Sequence, residues 1–70
     1  MAVSYDPLWK TLIDHKMNRM KLAQVVGFST PTLAKLGKDE YVALSVIDRI
    51  CQKLDCSIEE VIKIIPENEI

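Results

Sequence analysis

Apolar residues recur at helical spacing along most of the chain, and no stretch shows the two-residue alternation of a half-buried strand. Leu8, Trp9, Leu12 and Ile13 mark a first helix, opened by Asp6 as N-cap with Pro7 at the first helical position. A second helix starts at Asn18, a strong N-cap. Met17 before it is spaced to pack on Leu22 as a hydrophobic staple, and Gly27 supplies the left-handed residue that ends it. A third helix follows within three residues and runs to about Leu36, with Gly37 closing it. Its cap has two readings. Ser29 would cap through the N–H of Thr32, because the nitrogen of Pro31 carries no hydrogen; alternatively Thr30 caps and Pro31 takes the first position. In both, Leu33 and Leu36 face the core, and Thr30, Pro31, Thr32, Ala34 and Lys35 lie largely outside.

Residues 38–44 form a polar connector. A fourth helix opens with Ser45 and Asp48, a capping-box-like pair, and carries Ile47, Ile50, Cys51 and Leu54 on one face. A fifth repeats the logic: Ser57 and Glu60 form the box, Ile58, Val61, Ile62 and Ile65 the stripe, and Pro66 the stop. Val46, Ile64 and Ile70 fall outside these stripes. The expected fold is all-α, a compact five-helix bundle in one domain over residues 1–70, with no linker, low-complexity tract or solenoid repeat.

Size limits what such a chain can do. A 70-residue domain buries only about 60% of the surface its unfolded chain exposes, so it is marginal and would gain from dimerising. No apolar run approaches the roughly 18 residues of a membrane span, and MAVSYDPLWK lacks the basic start and apolar stretch of a signal peptide. The expectation is a cytoplasmic protein with no membrane contact. Cys51 and Cys56 lie in apolar surroundings and read as buried reduced thiols. His15 is the only histidine, so no metal set forms; at the end of the first helix it reads as structural. One histidine, no Gly-rich phosphate loop and no room for a dry pocket argue against an enzyme, a cofactor or a small-molecule ligand.

Charge distribution changes the picture more than net charge does. The total is −1, but residues 1–38 carry six cations against two acids, giving +4, and residues 39–70 carry three against eight, giving −5. One end suits phosphate and the other repels it. The positive end of a helix dipole favours acids, yet the second helix starts with Arg19 and Lys21 beside Asn18. A phosphate would offset that opposition through the free N–H groups and both cations; a solvated turn screened by salt is the alternative. On the third helix, Thr30, Pro31, Thr32 and Ala34 are small enough for close approach to another surface. Their methyl and methylene groups suit a thymine methyl, and Lys35 can reach guanine O6 and N7 or a phosphate. Lys38 and Tyr41 follow in the connector, within reach of flanking phosphates.

Residues 18–37, NRMKLAQVVGFSTPTLAKLG, resemble the helix-turn-helix of the Cro/repressor-type regulators, the xenobiotic-response-element family. Leu22-Ala23, Gly27, Phe28, Ser29 and Leu33 carry the motif. The likeness extends over about residues 5–65, through LAKLGKDEYVALSVIDRICQKLDCSIEEVI, where the family places its fourth and fifth helices. The resemblance implies double-stranded DNA as partner, with the third helix in the major groove. It implies phosphate contact at Arg19, groove-facing positions at Thr30, Pro31 and Lys35, capping or backbone contact at Ser29 and Thr32, and phosphate contact at Lys38 and Tyr41. Two departures stand out: Lys35 is the only long polar side chain on the groove face, and Gly37 replaces an acidic residue frequent in the family. Shape and phosphate contacts are therefore expected to outweigh base readout.

The family also commonly dimerises at its C-terminal end, which here would use Val61, Ile64, Ile65 and Ile70; the alternative is that these residues fill the monomer core. With no room for a sensing domain, regulation is expected through oligomerisation, abundance or a partner. The leading reading is a small transcriptional regulator, a repressor by family analogy. The second is a protein-interaction module, such as an antitoxin or phage regulatory protein, on the same fold.

Overall fold

A computed structural model of the chain describes residues 2–66. The order is strand β1 (Ala2–Ser4), helices α1 (Asp6–Asp14), α2 (Arg19–Val26), α3 (Thr30–Gly37) and α4 (Leu44–Leu54), a 3-10 turn at Ile58–Glu60, and strand β2 (Lys63–Ile65). The helical character is as expected, but the expected fifth helix is a single 3-10 turn followed by a strand. The box that should start it does form: the Glu60 carboxylate accepts from the Ser57 N–H at 3.0 Å. The stretch from Val61 to Ile65 is dominated by β-branched side chains, and Pro66 removes the next donor. The segment instead pairs antiparallel with the N-terminus, Ala2 opposite Ile65, Val3 opposite Ile64 and Ser4 opposite Lys63. Strands of three residues are too short to leave a periodic trace.

Helix boundaries shift in instructive ways. Asp6 is not the cap of α1 but its first residue; Tyr5 occupies the cap position, and the Ser4 hydroxyl accepts from the Asp6 N–H at 3.2 Å. Asn18 caps α2, its Oδ1 accepting from the Lys21 N–H at 2.7 Å. Gly27 ends α2 at φ +89°, and a Cβ there would meet nothing within 4 Å, so conformation alone calls for glycine. Ser29, not Thr30, caps α3, through a long 3.5 Å bond from the Thr32 N–H. The Ser45–Asp48 box does not form: α4 begins one residue earlier, at Leu44, after an Ala43 cap without a side-chain bond, and Asp48 accepts from Gln52 instead.

The core gathers residues from β1, all four helices and the segments that join them: Val3, Tyr5, Leu8, Leu12, Leu22, Val26, Phe28, Leu36, Val46, Ile47, Ile50, Leu54 and Val61. Val46, read as off the stripe, is buried among them, whereas Ile13, read as part of one, is 73% exposed. Val61 is fully buried, which removes it from the surface available for a dimer contact. Ile64 and Ile65 remain exposed, and Ile70 lies outside the described residues. His15 follows α1, with Nδ1 2.9 Å from the Thr11 carbonyl and Nε2 3.2 Å from that of Leu54, tying the ends of α1 and α4. Among the described residues no helix is long and apolar enough to cross a membrane.

Candidate nucleic-acid interface

Two short helices meet at a three-residue turn, Gly27-Phe28-Ser29, and Phe28 is buried beneath it. Leu22, Val26 and Leu36 anchor α2 and α3 to the core. Their remaining faces are open. Asn18, Arg19, Lys21, Ser29, Thr30, Pro31, Lys35, Lys38 and Tyr41 are all exposed, and Thr32 is half-buried with its hydroxyl 3.2 Å from that of Ser29. Asn18 has spent its carbonyl oxygen on the cap, so only its amide nitrogen is left to meet an acceptor.

The electrostatics of the helix ends differ. The first turn of α1 holds Asp6, and the 3-10 turn holds Glu59 and Glu60. The first turns of α2 and α3 hold no acid, and among the described helices α2 alone starts with cations. Unpaired N–H groups, a positive dipole end and the Arg19 and Lys21 side chains thus converge where α2 begins.

The connector after α3 is held from beneath by one residue. Tyr5, fully buried, donates its backbone N–H to Asp39 Oδ1 at 3.0 Å and its phenol hydroxyl to the Glu40 carbonyl at 2.8 Å. Burial, and then the Asp39 carboxylate, push the Tyr5 hydroxyl's pKa up from 10.0. Asp39 turns the chain in the left-handed region, at φ +56°. Lys38 and Tyr41 flank this pinned pair, so the connector presents them from a fixed backbone.

Two residues around Arg19 carried no functional expectation in the sequence. The Arg19 guanidinium carbon lies 4.0 Å from the centroid of the Trp9 ring. On another side, a Cβ added to Gly37 would lie 3.3 Å from Arg19 Nη1. Trp9 read as part of the α1 stripe and Gly37 as a helix end; their convergence on one guanidinium has no local sequence signal.

Elsewhere, a shallow apolar groove runs along α4 and the 3-10 turn, lined by Leu44, Ile47, Cys51 and Ile58, and continues over Pro7, Ile62 and Ile64. Among the described residues no cluster of three or more metal-ligating side chains forms.

Set beside known proteins, the model of the Cro/C1-type helix-turn-helix DNA-binding domain matches residues 7–67. No curated protein matches the chain. The crystal structure of the transcriptional regulator VanUg is similar at TM-score 0.90 and 47% identity, over 94% of this chain and 88% of that one. With a tight turn between α2 and α3 in a four-helix fold, and a family match over most of its length, the chain belongs to the Cro/C1-type helix-turn-helix DNA-binding domains.

Proposed function

We propose that the chain is a small transcriptional repressor that binds double-stranded DNA as a homodimer, with α3 in the major groove. The carrying observation is the acid-free, cation-bearing start of α2 beside an exposed α3 face of Thr30, Pro31, Ala34 and Lys35. In this reading Arg19, Lys21, Lys38 and Tyr41 hold phosphates, Asn18, Ser29 and Thr32 cap or add backbone contacts, and Thr30, Pro31 and Lys35 meet base edges. Kinship with a family of DNA-binding domains and likeness to a transcriptional regulator support the regulatory part. Repression follows the analogy drawn from the sequence.

Two exposed features favour the homodimer: Ile64 and Ile65 on the outer strand, and the apolar groove that reaches Leu44 and Ile58. A DNA-reading dimer of this class spans half-sites about one helical turn apart. The same groove is the observation that favours a protein partner of another kind. Sedimentation equilibrium at micromolar concentration separates the two. A monomer throughout refutes the dimer without DNA.

Selection from a random duplex library at moderate salt tests the whole reading. Enrichment of an inverted repeat supports it. Retention without enrichment replaces it with non-specific binding, and no retention even at low salt shifts the function to protein interaction. With about five phosphate contacts per protomer, log K should fall against log salt with a slope of roughly −4 to −5 per protomer.

A further inference from the structure

Arg19 sits where three helices meet. It opens α2, its guanidinium lies on the face of Trp9 from α1, and one of its terminal nitrogens abuts Gly37 at the end of α3. Each neighbour has a reason to be there. A guanidinium is planar and weakly hydrated, so an indole face holds it in one orientation and leaves its N–H edge for a planar or tetrahedral anion. Trp9 is itself half-buried against the core, so the surface it offers is fixed.

Gly37 is harder to explain without Arg19. Glycine lowers helix stability, and the usual justification is a left-handed backbone. Gly27 has that justification and Gly37 does not: it is the last residue of α3 and is absent from the positive-φ positions. What Gly37 provides is space. A Cβ there would press on Nη1 from 3.3 Å, and the guanidinium would have to give by a few tenths of an ångström. The α3 C-terminus also presents the negative end of its dipole to that cation.

We propose that Trp9 and Gly37 are positioning residues for Arg19. They preset its guanidinium beside the α2 N-terminus as a phosphate-gripping fork, so that DNA binding does not have to immobilise a free side chain. The proposal rests on the DNA-binding reading above. Because Trp9 is the single tryptophan, the arrangement carries its own reporter: an anion reaching the guanidinium changes the field over the indole.

The test uses the full chain and a labelled mixed-sequence duplex, with affinity from anisotropy across a salt series and Trp9 emission followed in the same titration. Arg19→Ala should weaken binding about tenfold. It should also lower the salt slope by about 0.9, as expected for one lost phosphate contact, and abolish the emission change. Trp9→Leu should weaken binding about threefold, the loss for one side chain no longer pre-ordered. Its salt slope should stay at the parent's, because the charge remains. Trp9→Phe, which keeps a π face, should recover most of that loss.

Gly37→Ala is the sharpest variant. Helix propensity predicts a melting temperature at or above the parent's, while displacement of the guanidinium predicts weaker DNA binding. A purely structural role for Gly37 would move both in the same direction. If Trp9→Leu fails to fold, Gly37→Ala and Trp9→Phe decide the matter. Parent-like affinity in Gly37→Ala overturns the inference, whatever Arg19→Ala does, and leaves the DNA-binding reading standing. A parent that binds no duplex at any salt overturns both.

Discussion

Asp39 performs two separable tasks, and a pair of substitutions divides them. Its backbone lies at φ +56°, where an ordinary L-residue costs about 1–2 kcal/mol and where Asp and Asn fare better because of their short polar side chains. Its Oδ1 accepts the N–H of Tyr5 at 3.0 Å, a bond that ties the exposed turn to a residue that is 0% exposed. Leaving such a donor without a partner costs about 1–3 kcal/mol. Asp39→Ala loses both contributions, about 2–5 kcal/mol together. Asp39→Asn keeps the acceptor and the tolerant backbone and should stay within about 0.5 kcal/mol of the parent.

A 70-residue domain has roughly 3.5–10 kcal/mol in total, so the alanine variant should lose a large share of its stability. Urea unfolding followed by circular dichroism measures this. The midpoint should fall by about 1–3 M in Asp39→Ala, with an unchanged slope, and hardly move in Asp39→Asn. Equal losses in the two variants would mean that the charge, not the bond geometry, holds the connector. An alanine variant as stable as the parent would refute the bond itself.

Other expectations rest on single observations. Gly27→Ala should lose about 1–2 kcal/mol in thermal unfolding, because only φ opposes a side chain there; a neutral result would refute the left-handed turn. Burial, then the neighbouring Cys51 and Glu60, raise the Cys56 thiol from 9.0 to about 11, and the Tyr5 hydroxyl is raised from 10.0. Both groups are held protonated in the native state: the contribution of Cys56 is full below pH 9 and is lost as pH rises through about 11, and that of Tyr5 is full below pH 10 and is lost above it. Melting temperatures measured from pH 7 to 11 should fall over that upper range, and a flat profile would contradict it. In DNA binding, Lys35→Ala should change sequence preference, while Arg19→Ala should weaken all sequences alike; parent-like behaviour in both would overturn the assigned face.

The sequence was most legible where a local rule decides the outcome. Asn18 as cap, Gly27 as the left-handed stop and the Ile47-Ile50-Leu54 stripe of α4 depend on neighbours within a turn or two, and all stand in the structure. Ser29 against Thr30 was open because proline fits either frame; the bond from the Thr32 N–H decides for Ser29, though at 3.5 Å it is a weak one. Legibility failed at the termini. The run from Val61 to Ile65 has an apolar content that suits a helix as well as a strand, and the deciding partner, Ala2–Ser4, lies some sixty residues away. Val61, expected both on the stripe of that helix and at a dimer contact, lies fully buried where the chain enters β2.

The same division runs through the interface. Exposure of the cations at the start of α2 and of the α3 face could be read from spacing, because each depends on its own helix. The supports could not, because each crosses elements. Tyr5 reaches Asp39 and Glu40 across 34 and 35 residues, and Arg19 meets Trp9 and Gly37 from separate helices. The N-terminal strand explains why Tyr5 can act at all. Pairing of Val3 and Ser4 with Ile64 and Lys63 fixes the backbone one residue before Tyr5, so its N–H and hydroxyl arrive at the connector from an anchored base. In a chain this short, a three-residue strand pair does for the connector what an extra helix would do in a larger domain: it removes the freedom that two hydrogen bonds alone would have to restrain.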